Sequence, residues 1–241
     1  MTKKLLASVS QLRLATIISS ILLVGCSNSG LVQKGSEDQN PMTTGPIVYV
    51  ALGDSTGSGV GARDGGYVAR LYRRLEEVRP GSTLINLCVS GATTDDVVRE
   101  QLEKGAAKDP DLVTLGIGIN DIGHGLTLDQ FSKNYERILS TLREKTRARI
   151  IVTNLPDISS APRIPGSARN GYQRQIVQYS QRLEEIAARH GVEIFDIYSI
   201  TNRELASHPE YFSADGFHPS DAGYELWAQE MWSVLEKLLN H

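Results

Sequence analysis

Residues 47–55 read Ile-Val-Tyr-Val-Ala-Leu-Gly-Asp-Ser, an apolar run that ends in a serine. The run is rich in β-branched and aromatic residues, which is typical of a buried β-strand. Gly53 permits a sharp turn directly after the strand, because it lacks a Cβ atom. Open α/β sheets place their sites at the carboxyl ends of strands, so Ser55 is predicted to lie at such an edge.

Downstream of this run, short apolar segments alternate with helical patterns. Further strands are predicted at residues 83–89, 112–119, 149–155 and 192–197. Apolar residues also keep helical spacing in four stripes, at 68–78, 128–142, 172–186 and 227–238. This alternation predicts an α/β fold with a five-stranded parallel sheet, right-handed crossovers and helices on both faces. The loops after the first, second, third and fifth strands are expected to meet at the carboxyl edge of the sheet.

Polar residues follow each of these four strands, and their types suit ester hydrolysis. That reaction requires a nucleophile, a base, a group that orients the base, and donors for the developing oxyanion. Ser55 can be the nucleophile and His218 the base, and Asp215 stands in a turn three residues before His218. The oxyanion donors would be the backbone N–H groups of Ser55 and Gly91 and the side-chain amide of Asn120.

Taken in order, these blocks resemble the SGNH (GDSL-type) hydrolase family over most of residues 47–240. The resemblance is carried by Gly53-Asp54-Ser55, Gly91, Gly118-Ile119-Asn120-Asp121 and Asp215-Gly216-Phe217-His218-Pro219. It implies a flavodoxin-like three-layer sandwich, a Ser-Asp-His triad, carboxylic ester substrates, and neither metal nor other cofactor. The reaction would pass through an acyl-enzyme on Ser55. Thr56 stands where the family label has Leu.

Two other functions could use the same fold. An acyltransferase would form the same acyl-enzyme and pass the acyl group to a sugar hydroxyl in place of water. A non-catalytic binding lipoprotein would need neither a base nor its orienting carboxylate, so the complete set of residues disfavours it.

Three rival motifs are also present. Residues 53–57 fit the Gly-x-Ser-x-Gly elbow of α/β-hydrolases, which usually follows several strands and here follows the first. Residues 57–62 fit Gly-x-Gly-x-x-Ala, but three residues separate them from the strand, whereas a dinucleotide site needs an immediate strand–turn–helix. His124 is a second candidate base; His218 is favoured because Pro219 and Ser220 lead into the final helix.

The first 25 residues are predicted to be the signal peptide of a bacterial lipoprotein. Three basic residues precede an apolar run at 15–24, which is short for a membrane span of about 20 residues. Leu23-Val24-Gly25-Cys26 resembles a lipobox, which implies cleavage before Cys26 and its lipidation. Ser27 implies sorting to the outer membrane if the cell is Gram-negative. The expected location is the bacterial cell envelope.

The remaining chain is predicted to form a tether and one domain. Residues 26–46 are polar and rich in Gly, Ser and Pro, so they are expected not to pack, and residues 47–241 form the hydrolase domain. The formal net charge is −3, and it becomes more negative without the basic signal peptide, which argues against nucleic acid as a partner. The expected partners are an ester substrate, with an acetylated carbohydrate, a short acyl ester and a lipid as the alternatives, and a membrane, bound through the lipid anchor. The protein is expected to be a monomer. Cys88 is predicted to be a buried strand residue with no disulfide partner.

Overall fold

The computed structural model describes residue 42 and residues 44–240. The predicted signal peptide, Cys26 and most of the predicted tether lie outside these residues. Within the described part of the chain, no helix has the length and apolar character needed to cross a membrane.

Five strands form a single parallel sheet in the order β2-β1-β3-β4-β5. They are β1 Val48–Gly53, β2 Thr83–Asn86, β3 Leu112–Gly116, β4 Arg149–Thr153 and β5 Glu193–Phe195. The chain direction across the sheet reverses between β1 and β3, and open sheets of this kind bind ligands outside the carboxyl ends of the strands at that point. The predicted five-stranded parallel sheet is confirmed.

Helices cover both faces of the sheet. They are α1 Ser55–Ser58, α2 Tyr67–Val78, α3 Thr94–Asp96, α4 Leu102–Ala106, α5 Ile119–His124, α6 Leu128–Lys145, α7 Gly166–His190, α8 Ile197–Glu204 and α9 Asp221–Leu239. A π-helical turn, Val97–Gln101, joins α3 to α4, and a 3₁₀ turn, Pro209–Tyr211, follows α8. The four predicted apolar stripes lie in α2, α6, α7 and α9, whereas α3, α4, α5 and α8 were not predicted.

Two apolar clusters fill the space between the sheet and the helices. Side chains alternate in direction along a strand, so β1 contributes Val50 and Leu52 to one cluster and Tyr49 and Ala51 to the other. The first cluster also contains residues of α6 and α7, and the second contains residues of α2 and α9. The predicted helices on both faces are therefore confirmed.

Several predicted segments differ from the structure; the strands predicted at 112–119 and 149–155, for example, end at Gly116 and Thr153. Met42 is fully buried in the second cluster. The expectation that residues 26–46 do not pack is therefore wrong at this residue, because burial of its apolar side chain stabilises the fold. The strand predicted at 83–89 ends at Asn86, whose side chain accepts from Cys88 N and donates to Gly57 O. Cys88 therefore lies beyond β2 and is only half-buried, with its thiol pKa raised by burial. The strand predicted at 192–197 stops at Phe195, because Asp196 caps the first turn of α8.

Candidate active site

The turn after β1 places Ser55 at the start of α1. Asp54 caps this short helix, and its Oδ1 accepts hydrogen bonds from Thr56 N at 2.9 Å and Thr56 Oγ1 at 2.8 Å. Only 2 % of Asp54 is exposed, and burial raises the pKa of its carboxyl to about 6 although the bonds from Thr56 act in the opposite direction. The position before the turn requires glycine, since a Cβ on Gly53 would lie 2.3 Å from Gly116 O.

The structure brings Ser55, His218 and Asp215 into a continuous chain of hydrogen bonds. His218 Nε2 lies 3.0 Å from Ser55 Oγ, and His218 Nδ1 lies 2.6 Å from Asp215 Oδ2. Ser55 is 4 % exposed, so its hydroxyl reaches solvent only through the mouth of the site. This arrangement can move a proton from the serine hydroxyl to the imidazole, whose ring is oriented by a carboxylate.

Asp215 is held by the turn that contains it. Its Oδ1 accepts hydrogen bonds from Phe217 N, His218 N and Ser213 Oγ at 2.8 to 2.9 Å. Burial acts to raise the pKa of Asp215, but these bonds and the bond from His218 Nδ1 outweigh it and hold the pKa well below its usual range. Asp215 is therefore ionised at neutral pH and accepts from the imidazole.

Gly91 and Asn120 lie beside Ser55, in a groove at the carboxyl edge of the sheet. This groove, which we call the Gly91 groove, is lined by Ser55, Ser90, Gly91, Asn120, Arg163, Phe217 and His218. Asn120 Nδ2 donates one hydrogen bond to Ala92 O at 2.8 Å, which orients the amide and leaves its second N–H for a ligand. Gly91 has a φ of 79°, a left-handed conformation that favours glycine.

A buried hydrogen-bond network supports the loop that carries Gly91. Asp121 is fully buried, and its carboxylate accepts from Thr94 N at 3.0 Å and from Thr94 Oγ1 at 2.5 Å. Asn134 Nδ2 donates to the same hydroxyl at 3.0 Å. The network joins α5, which contains Asn120, to the start of α3. Sequence reasoning missed it, although Thr93 and Asp96 form a capping box that signals this helix start.

A second missed residue, Gln101, clamps the end of β1. Its side-chain oxygen accepts from Gly53 N at 2.8 Å, and its side-chain nitrogen donates to Gly53 O at 2.9 Å. Gln101 is 2 % exposed and belongs to the π-helical turn. Its amide thus bonds to both backbone polar groups of Gly53, whose oxygen also accepts from Val89 N at 3.1 Å.

The loop after α1 packs directly on the loop that carries His218. A Cβ on Gly61 would lie 2.7 Å from Pro219 O and 2.9 Å from His218 Cβ, and the φ of Gly61 is 95°. Asp221, the first residue of α9, accepts hydrogen bonds from Arg63 N and Asp64 N and forms an ion pair with Arg70 at 2.6 Å. These contacts set the distance between the Ser55 and His218 loops.

An apolar pocket opens beside Ser55 and His218, and neither Gly91 nor Asn120 is among the described residues that line it. Its cavity volume is about 50 Å³. Its apolar lining residues include Ile119, Pro156, Ile158, Ile197, Ile200, Phe212, Leu226 and Trp227. Such a pocket suits the hydrocarbon part of a substrate.

Three other histidines among the described residues lie away from Ser55. His124 is exposed at the end of α5 and lines a separate groove with Thr93 and Arg99. His190 Nε2 lies 2.6 Å from Glu136 Oε2, and His208 Nδ1 lies 2.9 Å from Glu210 Oε1. Among the described residues, His, Cys, Asp and Glu side chains form no group of three that could hold a metal ion.

Comparison with known proteins points to one family. The chain matches the model of the GDSL-like lipase/acylhydrolase family over residues 51–226. It is 27% identical to the spore germination lipase LipC of Bacillus licheniformis over 216 residues, covering 77% of this chain and 94% of the relative. It is 28% identical to an acetylxylan esterase of Geobacillus stearothermophilus over 180 residues, covering 70% of this chain and 80% of the relative.

A solved structure agrees with this assignment at the level of the fold. The acetylxylan esterase Axe2 of Geobacillus stearothermophilus superimposes with a TM-score of 0.67 at 23% identity, covering 80% of this chain and 95% of the esterase. The sheet order, the blocks at its carboxyl edge and the family match agree with one another. The chain therefore belongs to the GDSL-like lipase/acylhydrolase family and is a hydrolase of the SGNH esterase and lipase type.

Proposed function

We propose that the protein hydrolyses carboxylic esters through an acyl-enzyme on Ser55. The observation that carries the proposal is the chain from Ser55 Oγ through His218 to Asp215, with distances of 3.0 Å and 2.6 Å. Ser55 Oγ attacks the ester carbonyl while His218 Nε2 takes its proton. His218 then gives that proton to the departing alcohol, and the acyl group stays on Ser55. A water molecule, activated by His218 in the same way, attacks the acyl-enzyme and releases the acid.

The Gly91 groove supplies the electrostatic part of this mechanism. Negative charge develops on the carbonyl oxygen in the tetrahedral transition state, and donors fixed in advance stabilise it. We assign this role to the N–H groups of Ser55 and Gly91 and to the second N–H of the Asn120 amide. The hydrogen bond from Asn120 to Ala92 O keeps that amide in place before the substrate arrives.

The apolar pocket supports an acyl chain longer than acetyl. An acetyl group has one methyl to bury, whereas each added CH₂ buried there contributes about 0.8 kcal/mol. A series of nitrophenyl esters measures this preference. We expect kcat/KM to rise from acetate toward chains of six or more carbons, and a maximum at acetate would contradict this assignment.

The test of the mechanism is the substitution Ser55→Ala. We expect kcat to fall by about 10⁴-fold or more, because nucleophile and base act as a unit. Ser58→Ala is the matched control, since Ser58 lies in the same helix, is exposed and donates only to Ser55 O at 3.1 Å. Labelling by a serine-directed phosphonate should disappear in the first variant and persist in the second. Full turnover by purified Ser55→Ala protein would overturn the mechanism.

We propose further that the enzyme is a lipoprotein anchored through Cys26. The basic residues, the short apolar run and the lipobox-like Leu23-Val24-Gly25-Cys26 support this. Several acyl chains on one cysteine bind a bilayer stably, whereas one chain binds reversibly. Cys26→Ala should abolish palmitate labelling and membrane fractionation while esterase activity persists. A wild-type protein that is unlabelled and absent from membranes would contradict the anchor and leave the catalytic proposal intact.

A further inference from the structure

Arg163 lies in the loop between β4 and α7 and is fixed to the turn that carries His218. Its backbone N–H donates to Gly216 O at 2.9 Å. Gly216 has a φ of 65°, and a Cβ there would lie 3.1 Å from Pro162 Cβ, so the two loops are in close contact. The backbone of Arg163 is therefore held at a set distance from Asp215 and His218.

The Arg163 side chain lines the Gly91 groove. Its guanidinium carbon lies 6.0 Å from the centre of the Phe217 ring, and Phe217 in turn packs edge-on against His218 at 5.2 Å. This cation–π contact directs a flexible side chain toward Ser55 and its neighbours. Among the described residues, Arg163 forms no ion pair with a carboxylate, which leaves its N–H groups for a ligand.

A guanidinium in this position suits a particular class of ligand. Its planar array of N–H groups matches the oxygens of a carboxylate or phosphate. The chain as a whole carries a formal net charge of −3, so an anionic substrate is not attracted by the overall charge. The unpaired guanidinium of Arg163, which lines the same groove as Ser55, offers such a substrate a local attraction.

The two cavities around Ser55 distinguish the two parts of an ester. The apolar pocket is suited to the acyl chain, and none of the described residues that line it is a lysine or an arginine. Arg163 lines the Gly91 groove instead, so its guanidinium is available to the alcohol part of the ester.

We propose that Arg163 selects esters whose alcohol part carries an anionic group, a carboxylate or a phosphate, close to the scissile bond. The inference rests on the proposed function, since it takes Ser55 as the nucleophile. It differs from a general oxyanion role, because a charge that stabilised the transition state alone would act on every ester equally.

The test compares matched pairs of esters with one acyl chain. The first pair is the ester of 3-hydroxybenzoate and that of neutral 3-hydroxybenzamide, and the second is a monoacylglycerol phosphate and the corresponding monoacylglycerol. For each pair we define selectivity as kcat/KM for the anionic ester divided by kcat/KM for the neutral one. In Arg163→Gln we expect selectivity to fall about tenfold in at least one pair, through KM. The pair with the larger fall identifies the preferred anion.

Arg169→Gln is the control, because Arg169 is an exposed cation in the first turns of α7 that lies outside the groove. Its Nε donates to Ile164 O at 3.4 Å. Its selectivity should equal that of the wild type, and the selectivity of the wild type should fall as salt is added. Unchanged selectivity in Arg163→Gln for both pairs would overturn the inference, whether or not the variant is slower on all esters. A wild type that hydrolyses nitrophenyl esters but neither anionic ester would overturn this inference alone, whereas one that hydrolyses no ester of either kind would overturn the proposed function.

Discussion

The two halves of the site are built in different ways. The Ser55 half comprises Asp54, Ser55, Thr94, Asn120 and Asp121, and it is mostly sealed under the sheet edge: Asp54 and Ser55 are 2 % and 4 % exposed, and Asp121 is fully buried. The His218 half is the turn at residues 213–218, where the side chains of Asp215 and His218 are 34 % and 17 % exposed. One half belongs to the core and the other is a surface turn.

The two halves also differ in how far apart in the sequence the residues that support them lie. In the Ser55 half, Gln101 contacts Gly53 and Asp121 contacts Thr94, 48 and 27 residues apart in sequence. In the His218 half, Asp215 bonds to residues two and three positions away, and the long-range contacts of the turn include those of Gly216 with Arg163 and of His218 with Gly61. Substitutions in the Ser55 half should therefore change both rate and stability, whereas those in the His218 half should change rate alone.

The largest effect is expected for Asp215→Asn. Asn keeps one accepting oxygen for the bonds of the turn but places an NH₂ donor where the second carboxylate oxygen accepted from His218 Nδ1. The imidazole then loses its orienting acceptor, so kcat should fall about 10⁴-fold. The free energy of unfolding should change by less than about 1 kcal/mol, because the other bonds of the turn remain. Steady-state kinetics and urea unfolding measure the two quantities. A loss of several kcal/mol would show that the His218 half is part of the folded core after all.

Asn120→Ala should show the double effect of the Ser55 half. Loss of one oxyanion donor lowers kcat about 10²–10³-fold with KM nearly unchanged. Loss of the hydrogen bond to Ala92 O should also lower the free energy of unfolding by about 1 kcal/mol. If KM rises while kcat holds, Asn120 binds substrate and does not stabilise the oxyanion.

Asp54 should make the stability of the Ser55 half depend on pH. Its pKa is about 6 in the folded protein against 3.8 for the ordinary carboxyl, so the folded state binds the proton more tightly. The stabilisation that comes from this tighter proton binding is fully present below about pH 4. It is lost as the pH rises through 6, which lowers the free energy of unfolding by about 3 kcal/mol.

The comparison of wild type with Asp54→Asn isolates this contribution, since Asn can still accept from Thr56. Between pH 3.5 and 7, the wild type should lose about 3 kcal/mol of stability relative to the variant. Chemical unfolding across this range provides the measurement. Parallel stability curves would mean that Asp54 ionises as easily when folded as when unfolded.

Thr94→Val should give the smallest effect. The change keeps the shape but removes the hydroxyl that joins Asp121 to Asn134, at a cost of about 1–2 kcal/mol in stability. We expect kcat to fall less than tenfold, because the Gly91 loop keeps its other contacts. A larger fall in kcat than that of Asn120→Ala would place this network closer to the chemistry than we propose.

The sequence predicts the residues that meet at the sheet edge, but not the bonds that hold them. Ser55, Asn120 and His218 were predicted to converge because parallel strands end at one edge and polar blocks follow them. The clamp between Gln101 and Gly53 was not predicted, because it depends on a π-helical turn that no apolar periodicity signals. The early end of β2 has a related cause. Leu87 N and Val89 N still donate to Ala51 O and Gly53 O, but Gly53 N donates to Gln101 and not to this segment.

The π-helical turn at Val97–Gln101 has a consequence for how this chain can change in length. In such a turn the backbone N–H of Leu102 bonds to Val97 O, five residues back, where an α-helix would span four. Removal of one residue from the turn would restore regular α-helical winding and rotate its neighbours by about 100°. Gln101 would then leave Gly53, and the backbone before Ser55 would lose two buried hydrogen bonds. Insertions and deletions should accordingly be tolerated far better in the exposed loops than between residues 97 and 101, where the number of residues matters as much as their identity.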